Sequence, residues 1–112
     1  MKEIKSDRLE ALFASYREDL QVQVKELEQV WTTLRSDWQE AEAKEFESLC
    51  HKIAGAAPTF GFEEVGDKAR LMENIIRLNS LQTKPASSEH INDINKNYID
   101  LANALQQSLA VK

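Results

Sequence analysis

The sequence predicts an all-α protein, an antiparallel bundle of four helices. The chain has 112 residues, of which only 3 are Gly and 2 are Pro, whereas the strong helix formers Ala, Leu, Glu, Gln and Lys are abundant. No run of alternating β-branched residues indicates a strand. Apolar residues instead recur at helical spacing along four segments, and burying these stripes together stabilises a bundle. We expect residues 1–112 to form one domain, because a chain of this length supplies a single core.

The first segment predicts a helix over about residues 6–35, either continuous or bent into a short and a long piece. Its apolar stripe consists of Leu9, Leu12, Phe13, Tyr16, Leu20, Val24, Leu27, Trp31 and Leu34. Ser36 and Gln39 match a capping box, which predicts that the next helix begins at about residue 37. Trp31 and Trp38 flank this turn, and we expect them to cover the end of the bundle.

The second helix is expected to end in the high fifties. Its apolar positions are Trp38, Phe46, Leu49, Ile53 and Ala56. Pro58 lacks a backbone donor and Gly61 suits the end of a helix, so both favour termination there. Cys50 is expected to be a small apolar side chain in or beside the core.

Two further helices complete the bundle. The residues of the third that are predicted to face inward are Phe62, Val65, Ala69, Met72, Ile76 and Leu81. Gly66 predicts a close helix crossing. A loop over about 80–88 separates this helix from the last one, whose stripe is Ile91, Ile94, Tyr98, Leu101, Leu105 and Leu109. His90, at the start of the last helix, is expected to have no specific role.

Composition excludes several classes of function. The chain has 14 Lys and Arg against 19 Asp and Glu, a net charge of -5, which disfavours binding to nucleic acid or to an anionic membrane. No stretch approaches the roughly 20 apolar residues of a membrane span, and the first residues lack the apolar region of a secretory signal. One Cys and two His exclude the common zinc frameworks, so no metal site is expected. The single Cys fits a reducing compartment, and we expect a cytoplasmic protein.

His51 lies on the polar side of the second helix. At 100° per residue, the apolar residues Phe46, Leu49 and Ile53 share one face, and His51 falls about 200° from Leu49. The sequence therefore predicts a histidine that faces solvent.

Gly55 lies one turn after His51 on the same polar face. Glycine inside a helix is less favourable than Ala by about 1 kcal/mol. A structural or functional reason for glycine at this position is therefore expected. One interpretation is a bare patch that lets another protein approach the imidazole. The alternative is close packing of a neighbouring helix against Gly55.

Residues 50–62 read Cys-His-Lys-Ile-Ala-Gly-Ala-Ala-Pro-Thr-Phe-Gly-Phe. This string resembles the core motif of histidine-containing phosphotransfer (HPt) domains, in which small and aliphatic residues and two glycines follow a His at fixed intervals. The residues that match are His51, Ile53, Gly55, Ala56, Ala57 and Gly61. Val65 and the stretch from Leu71 to Glu73 extend the resemblance, so its specific part covers residues 50–73.

The resemblance implies a phosphorelay intermediate of two-component signal transduction. In this family the motif histidine accepts a phosphoryl group from the aspartate of a receiver domain and passes it to another receiver, and His51 inherits that role. The implied partners are receiver domains of a hybrid histidine kinase and of a response regulator. The chain would be a phosphoprotein and a carrier, not an enzyme. It would hold no cofactor, since the Mg²⁺ belongs to the receiver, and a monomer is the family-like expectation.

The residue that commonly supports the phosphate in this family differs in this chain. Many family members carry a Lys three residues after the His, where this chain has Ala54. Lys52 is a candidate replacement, although it is equally readable as a solvated lysine.

A second set of candidates lies on the third helix. Arg70, Glu73 and Arg77 share one face of that helix. If that face flanks His51, Glu73 could accept a hydrogen bond from Nδ1–H of the ring, and either arginine could assist a phosphate. The alternative is an ordinary solvated face with pairs inside the helix.

Docking of a receiver needs exposed apolar residues. The candidates are residues near His51 and three apolar residues of the first helix, Leu12, Phe13 and Tyr16. At least two of these three are expected in the core.

Other functions remain open at this point. Because Ala54 replaces the usual lysine, the chain could be a degenerate HPt-like bundle that binds a receiver without carrying phosphate. The dimerisation helices of a histidine kinase form a further class, but the chain lacks the length and any glycine loop for ATP. An ordinary structural bundle is the last alternative.

Overall fold

The computed structural model describes the backbone of residues 2–110 and the side chains of residues 7–110. Four helices follow one another: α1 (Lys2–Ser36), α2 (Glu40–Ala56), α3 (Glu63–Leu78) and α4 (Ser88–Ala110), with a 3-10 turn at Ala57–Phe60. No strand occurs within residues 2–110. The prediction of an all-α four-helix bundle is confirmed.

Helix α1 is uninterrupted, so a division into two pieces is wrong. Its 35 residues correspond to a length of about 52 Å, close to the 55 Å length of the whole molecule. Because α2 and α3 have only 17 and 16 residues, the first part of α1 extends beyond these two helices, and residues 7–15 are all exposed.

The apolar stripe of α1 is therefore buried only in part. Leu9, Leu12 and Phe13 are exposed, and burial begins at Tyr16. Of the three docking candidates only Tyr16 belongs to the core, so the expectation that at least two would do so is wrong. Helical spacing shows which residues share a face, but burial also needs a neighbouring helix to cover that face.

The turn between α1 and α2 differs from its prediction. The Ser36 hydroxyl donates to the Thr32 carbonyl at 3.0 Å, and Ser36 is the last residue of α1 rather than the cap of α2. Helix α2 begins at Glu40 after Gln39, which forms no side-chain capping bond. Serine bonds readily to the carbonyl four residues before it, and this local interaction competes with capping.

The core is one continuous apolar cluster that all four helices supply. Its fully buried large side chains are Leu20, Leu27, Trp31, Leu34, Phe46, Ile53, Val65, Met72, Ile76, Leu81, Ile94 and Leu101. All six residues predicted to face inward around α3 are buried. Leu49 and Ala56 are only half-buried, because the core side of α2 is centred nearer Phe46, Cys50 and Ile53.

Both tryptophans lie at the end of the bundle that contains the α1–α2 turn. The Trp31 indole N–H donates to Asn95 Oδ1 at 2.9 Å, which joins α1 to α4. The Trp38 indole N–H donates to the Leu81 carbonyl at 2.8 Å. This second bond fixes the connection between α3 and α4 against the start of α2.

The turn after α2 brings Pro58 against α3. Gly61 ends the 3-10 turn with φ of 91°, a left-handed conformation that favours glycine. A Cβ at Gly66 would lie 2.7 Å from Pro58 Cγ and 2.8 Å from Pro58 Cδ. The close approach predicted at Gly66 is thus real, but its partner is the proline ring of the turn.

Gly66→Ala is expected to destabilise the fold by about 1–3 kcal/mol, because the new methyl group would overlap a rigid proline ring. Gly55→Ala is the matched control, since a Cβ there meets nothing within 4 Å. That control should stabilise the helix by about 1 kcal/mol. Urea unfolding measures both effects, and a shift of the two variants in the same direction would contradict the packing described here.

Candidate functional site

His51 stands on the outer face of α2. Its side chain is 72% exposed, as its position on the helical wheel predicts. The residues that α2 buries are Ala43, Phe46, Cys50, Ile53 and Ala54. Packing of these residues fixes the rotation of α2 about its axis, and that rotation directs His51 away from the core.

A buried carboxylate of α3 holds the imidazole ring. His51 Nδ1 lies 2.7 Å from Glu73 Oε2, and the Glu73 side chain is only 4% exposed. An ionised carboxylate has no proton to donate, so the hydrogen of this bond belongs to Nδ1. The ring is then the Nδ1–H tautomer, and Nε2 keeps its lone pair. Among the described side chains, none forms a hydrogen bond with Nε2.

Glu73 is not part of a solvated face, so that alternative is wrong for this residue. A buried carboxylate is unfavourable unless charges and donors compensate it. Arg77, one turn later on α3, supplies a guanidinium whose Nη1 lies 3.3 Å from Glu73 Oε2. The same arginine remains 58% exposed, so its positive charge lies at the surface close to the ring.

Glu47, for which no role was predicted from the sequence, joins this cluster. Its Oε2 lies 3.4 Å from Arg77 Nε, and its Oε1 accepts a hydrogen bond of 2.9 Å from Gln82 Nε2. Glu47 lies one turn before His51 on the same face of α2, which was the signal available in the sequence. Gln82 gave no such signal, because it lies in the irregular connection after α3.

Two cations lie on the other side of the histidine. The Arg70 Nη2 group is 3.5 Å from the Ala54 carbonyl, so Arg70 reaches from α3 to the turn of α2 that follows His51. Lys52 is exposed, and within residues 7–110 it forms no salt bridge. The structure thus brings Glu73 and Arg77 to the ring, places Arg70 next to Ala54 and leaves Lys52 in solvent.

The surface around His51 is open on both sides. Gly55 is exposed and a Cβ there would contact nothing within 4 Å, so the interpretation of Gly55 as a helix-packing position is wrong. On the opposite side a shallow cavity of about 250 Å³ is lined by Lys44, Glu47, Ser48, His51, Glu73 and Arg77. A second protein can therefore approach the ring closely.

Cys50, the neighbour of His51, is fully buried, as predicted. Burial raises the pKa of its thiol well above the ordinary value, and the negative charges of Glu73 and Glu47 raise it further. The thiol therefore stays protonated in the folded protein at pH values where an unfolded chain would ionise it.

The buried thiol predicts a loss of stability in alkali. Above about pH 8.5 the thiol ionises in the unfolded chain but not in the fold, so the free energy of unfolding should fall by up to about 1.4 kcal/mol per pH unit. Cys50→Ala should lower stability at every pH but flatten this decline. Urea unfolding of both proteins between about pH 7 and 9.5 measures it, and equal slopes would contradict the prediction.

No helix within residues 2–110 has the length and apolarity to cross a membrane. The described residues also contain no group of three or more His, Cys, Asp or Glu side chains able to hold a metal ion.

Comparison with protein-family models found a match. The family model of the Hpt domain matches residues 11–110, nearly the whole chain. No match was found among curated proteins or among solved structures. The matched range includes His51, Glu73 and Arg77 and all of α2, α3 and α4.

Proposed function

The chain belongs to the Hpt-domain family of phosphotransfer modules in two-component signalling, and we propose that His51 is its phosphorylation site. In this role the chain takes a phosphoryl group from the aspartyl phosphate of one receiver domain and passes it to the aspartate of another. The observation that carries the proposal is an exposed ring whose Nδ1 is held by the buried Glu73 carboxylate, which leaves Nε2 free as a nucleophile.

The transfer step follows from this tautomer. The lone pair of His51 Nε2 attacks phosphorus, an N–P bond forms, and the P–O bond to the aspartate breaks with its electron pair leaving on the carboxylate. The ring keeps its proton on Nδ1 and gains positive charge as the bond forms. Glu73 stabilises that charge where it develops, which favours the transition state over the ground state. Transfer to the second receiver is the same step in reverse.

Cations beside the ring suit the transferred group. A phosphoryl group carries charge on three oxygens, and its transfer depends on positioning and charge neutralisation more than on covalent work by the protein. Arg77 and Arg70 lie on either side of the position of His51 along α2, and Lys52 is exposed one residue away. These three side chains support the proposal as partners for the phosphoryl oxygens.

We also propose that the receiver covers Gly55 and an apolar patch at the adjacent end of the bundle. The exposed Phe13 ring packs edge-on against Phe60 at 5.4 Å, and Leu12 beside it is exposed. Phe60 ends the 3-10 turn that follows α2, so the patch lies beyond Gly55 in the direction away from the tryptophans. An apolar centre next to charged residues is the usual composition of a docking surface.

The test is incubation with a panel of receiver domains phosphorylated by acetyl phosphate. We expect transfer of acid-labile, alkali-stable phosphate to the chain, located at residue 51 by mass spectrometry. Phosphate at another residue would contradict the assignment of the site. The second candidate function is a module that binds a receiver without carrying phosphate. It is favoured because the position three residues after the histidine, where a lysine is common, is the buried Ala54. This function predicts receiver binding in a titration and no phosphate label on the chain.

A further inference from the structure

We propose that Glu47 is a positioning residue for His51, acting through Arg77 and Glu73. The inference rests on the proposed function of His51 and adds to it a residue that does not touch the ring. Glu47 precedes His51 by one turn of α2, and Arg77 follows Glu73 by one turn of α3. The two helices therefore present two adjacent cross-links, one between His51 and Glu73 and one between Glu47 and Arg77.

Arg77 connects the two cross-links. Its Nη1 lies 3.3 Å from Glu73 Oε2 and its Nε lies 3.4 Å from Glu47 Oε2. A guanidinium is planar and presents its donors in fixed directions, so its two ion pairs constrain each other. The side chain is more than half exposed, and without Glu47 it would be free to leave Glu73 for solvent.

Glu47 is itself held at both oxygens. While Oε2 faces Arg77, Oε1 accepts the hydrogen bond from Gln82. Gln82 follows Leu81, whose buried side chain and carbonyl bond to Trp38 fix the connection between α3 and α4. The orientation of Arg77 is thus set by a part of the chain that is rigidly attached to the core.

One oxygen of Glu73 links the two cross-links. Glu73 Oε2 faces both His51 Nδ1 and Arg77 Nη1, so the position of the guanidinium helps to fix the direction in which this oxygen accepts. A looser carboxylate would hold Nδ1–H less firmly, and more of the neutral ring would carry its proton on Nε2. That tautomer has no lone pair on Nε2 and is not a nucleophile there.

The tautomer of His51 gives a direct test by nitrogen NMR of histidine-labelled protein, at a pH where both rings are neutral. In the native protein we expect His51 as the Nδ1–H form. Glu47→Gln, which keeps the size of the side chain and the acceptor for Gln82, should shift it toward a mixture of the two forms. His90 is an internal reference of opposite tautomer, because its Nδ1 accepts from the Ser87 N–H.

The rate of phosphorylation by phosphoramidate is the second readout, since this small donor needs no receiver. Glu47→Gln should lower the rate on the order of threefold to fivefold, the effect of one partly exposed ion pair. Arg77→Gln should lower it at least as much, and the double variant should resemble Arg77→Gln alone, because Glu47 acts through Arg77. Glu45→Gln removes the same charge from an exposed position of α2 and should change neither readout.

The outcomes separate the two proposals. A native tautomer and a native rate in Glu47→Gln would overturn the inference and leave His51 as the phosphorylation site. A native protein in which receivers and phosphoramidate both fail to label His51 would overturn the proposed function, and the role of Glu47 with it.

Discussion

Replacing His51 with Gln is expected to abolish phosphate labelling by phosphorylated receivers. The amide nitrogen of Gln is delocalised into its carbonyl and offers no lone pair for attack on phosphorus, so no slower residual reaction at this position is expected. The fold should survive, because the side chain is exposed and Gln can still donate a hydrogen bond to Glu73. We expect a change in the free energy of unfolding below about 1 kcal/mol.

His90→Gln is the matched control for this variant, since it removes the other histidine of the chain. The Ser87 hydroxyl accepts from the His90 N–H at 3.1 Å, and the Ser87 N–H donates to His90 Nδ1 at 3.3 Å. His90 thus completes a cap at the start of α4, and the expectation that it has no specific role is wrong. Gln at this position forms a Ser-x-x-Gln capping box with Ser87, so the replacement should change stability little and leave labelling intact. Label that persists in His51→Gln, or disappears in His90→Gln, would contradict the assignment.

Gly55→Leu is expected to separate folding from transfer. A side chain at this position enters open space, and Leu favours helix over Gly by roughly 0.8 kcal/mol, so the free energy of unfolding should rise. Transfer from a receiver should fall by roughly 10- to 100-fold, because the leucine would fill the clearance beside His51, and overpacking an interface is unfavourable by about 1–3 kcal/mol. Labelling by phosphoramidate should change much less than labelling by a receiver.

Two variants control for the general effect of added apolar bulk. Gly55→Ala adds a single methyl group and should fall between the native protein and Gly55→Leu in receiver transfer. Asn92→Leu places a leucine on an exposed position of α4 at the tryptophan end of the bundle, close to Asn95, which bonds to Trp31, and should leave transfer unchanged. Native transfer in Gly55→Leu would mean that the receiver does not approach over this residue.

The parts of the fold that sequence predicts well depend on local periodicity. The stripes of α3 and α4 and the outward position of His51 follow from the helical repeat, because each concerns residues on one helix. The same reasoning failed for Leu9 and Phe13, which continue the stripe of Leu20 and Leu27 but remain exposed because no neighbouring helix covers them fully. Periodicity carries no information about where the neighbouring helices end.

In the candidate site, too, features within one helix were predictable and contacts between elements were not. Glu73 and Arg77 were recognisable as residues of one helix face, whereas the distance between that face and His51 depends on how α2 and α3 pack. The contribution of Gln82 was not predictable, since an irregular connection has no repeat from which to infer a direction. The prediction that Ser36 caps α2 failed for a further reason. A serine hydroxyl at the end of a helix can either bond to a carbonyl of its own helix or cap the next one, and periodicity does not distinguish the two.

The positions of Trp31 and Trp38 have a practical consequence for these experiments. Both indoles lie at the α1–α2 turn, with their ring centroids 6.4 Å apart. The eleven helical steps from Glu40 to His51 separate that end of α2 from the imidazole by about 17 Å. Their fluorescence should report the loss of tertiary structure and be nearly silent to phosphorylation. A single optical signal can therefore rank the variants by folding before any chemistry is measured.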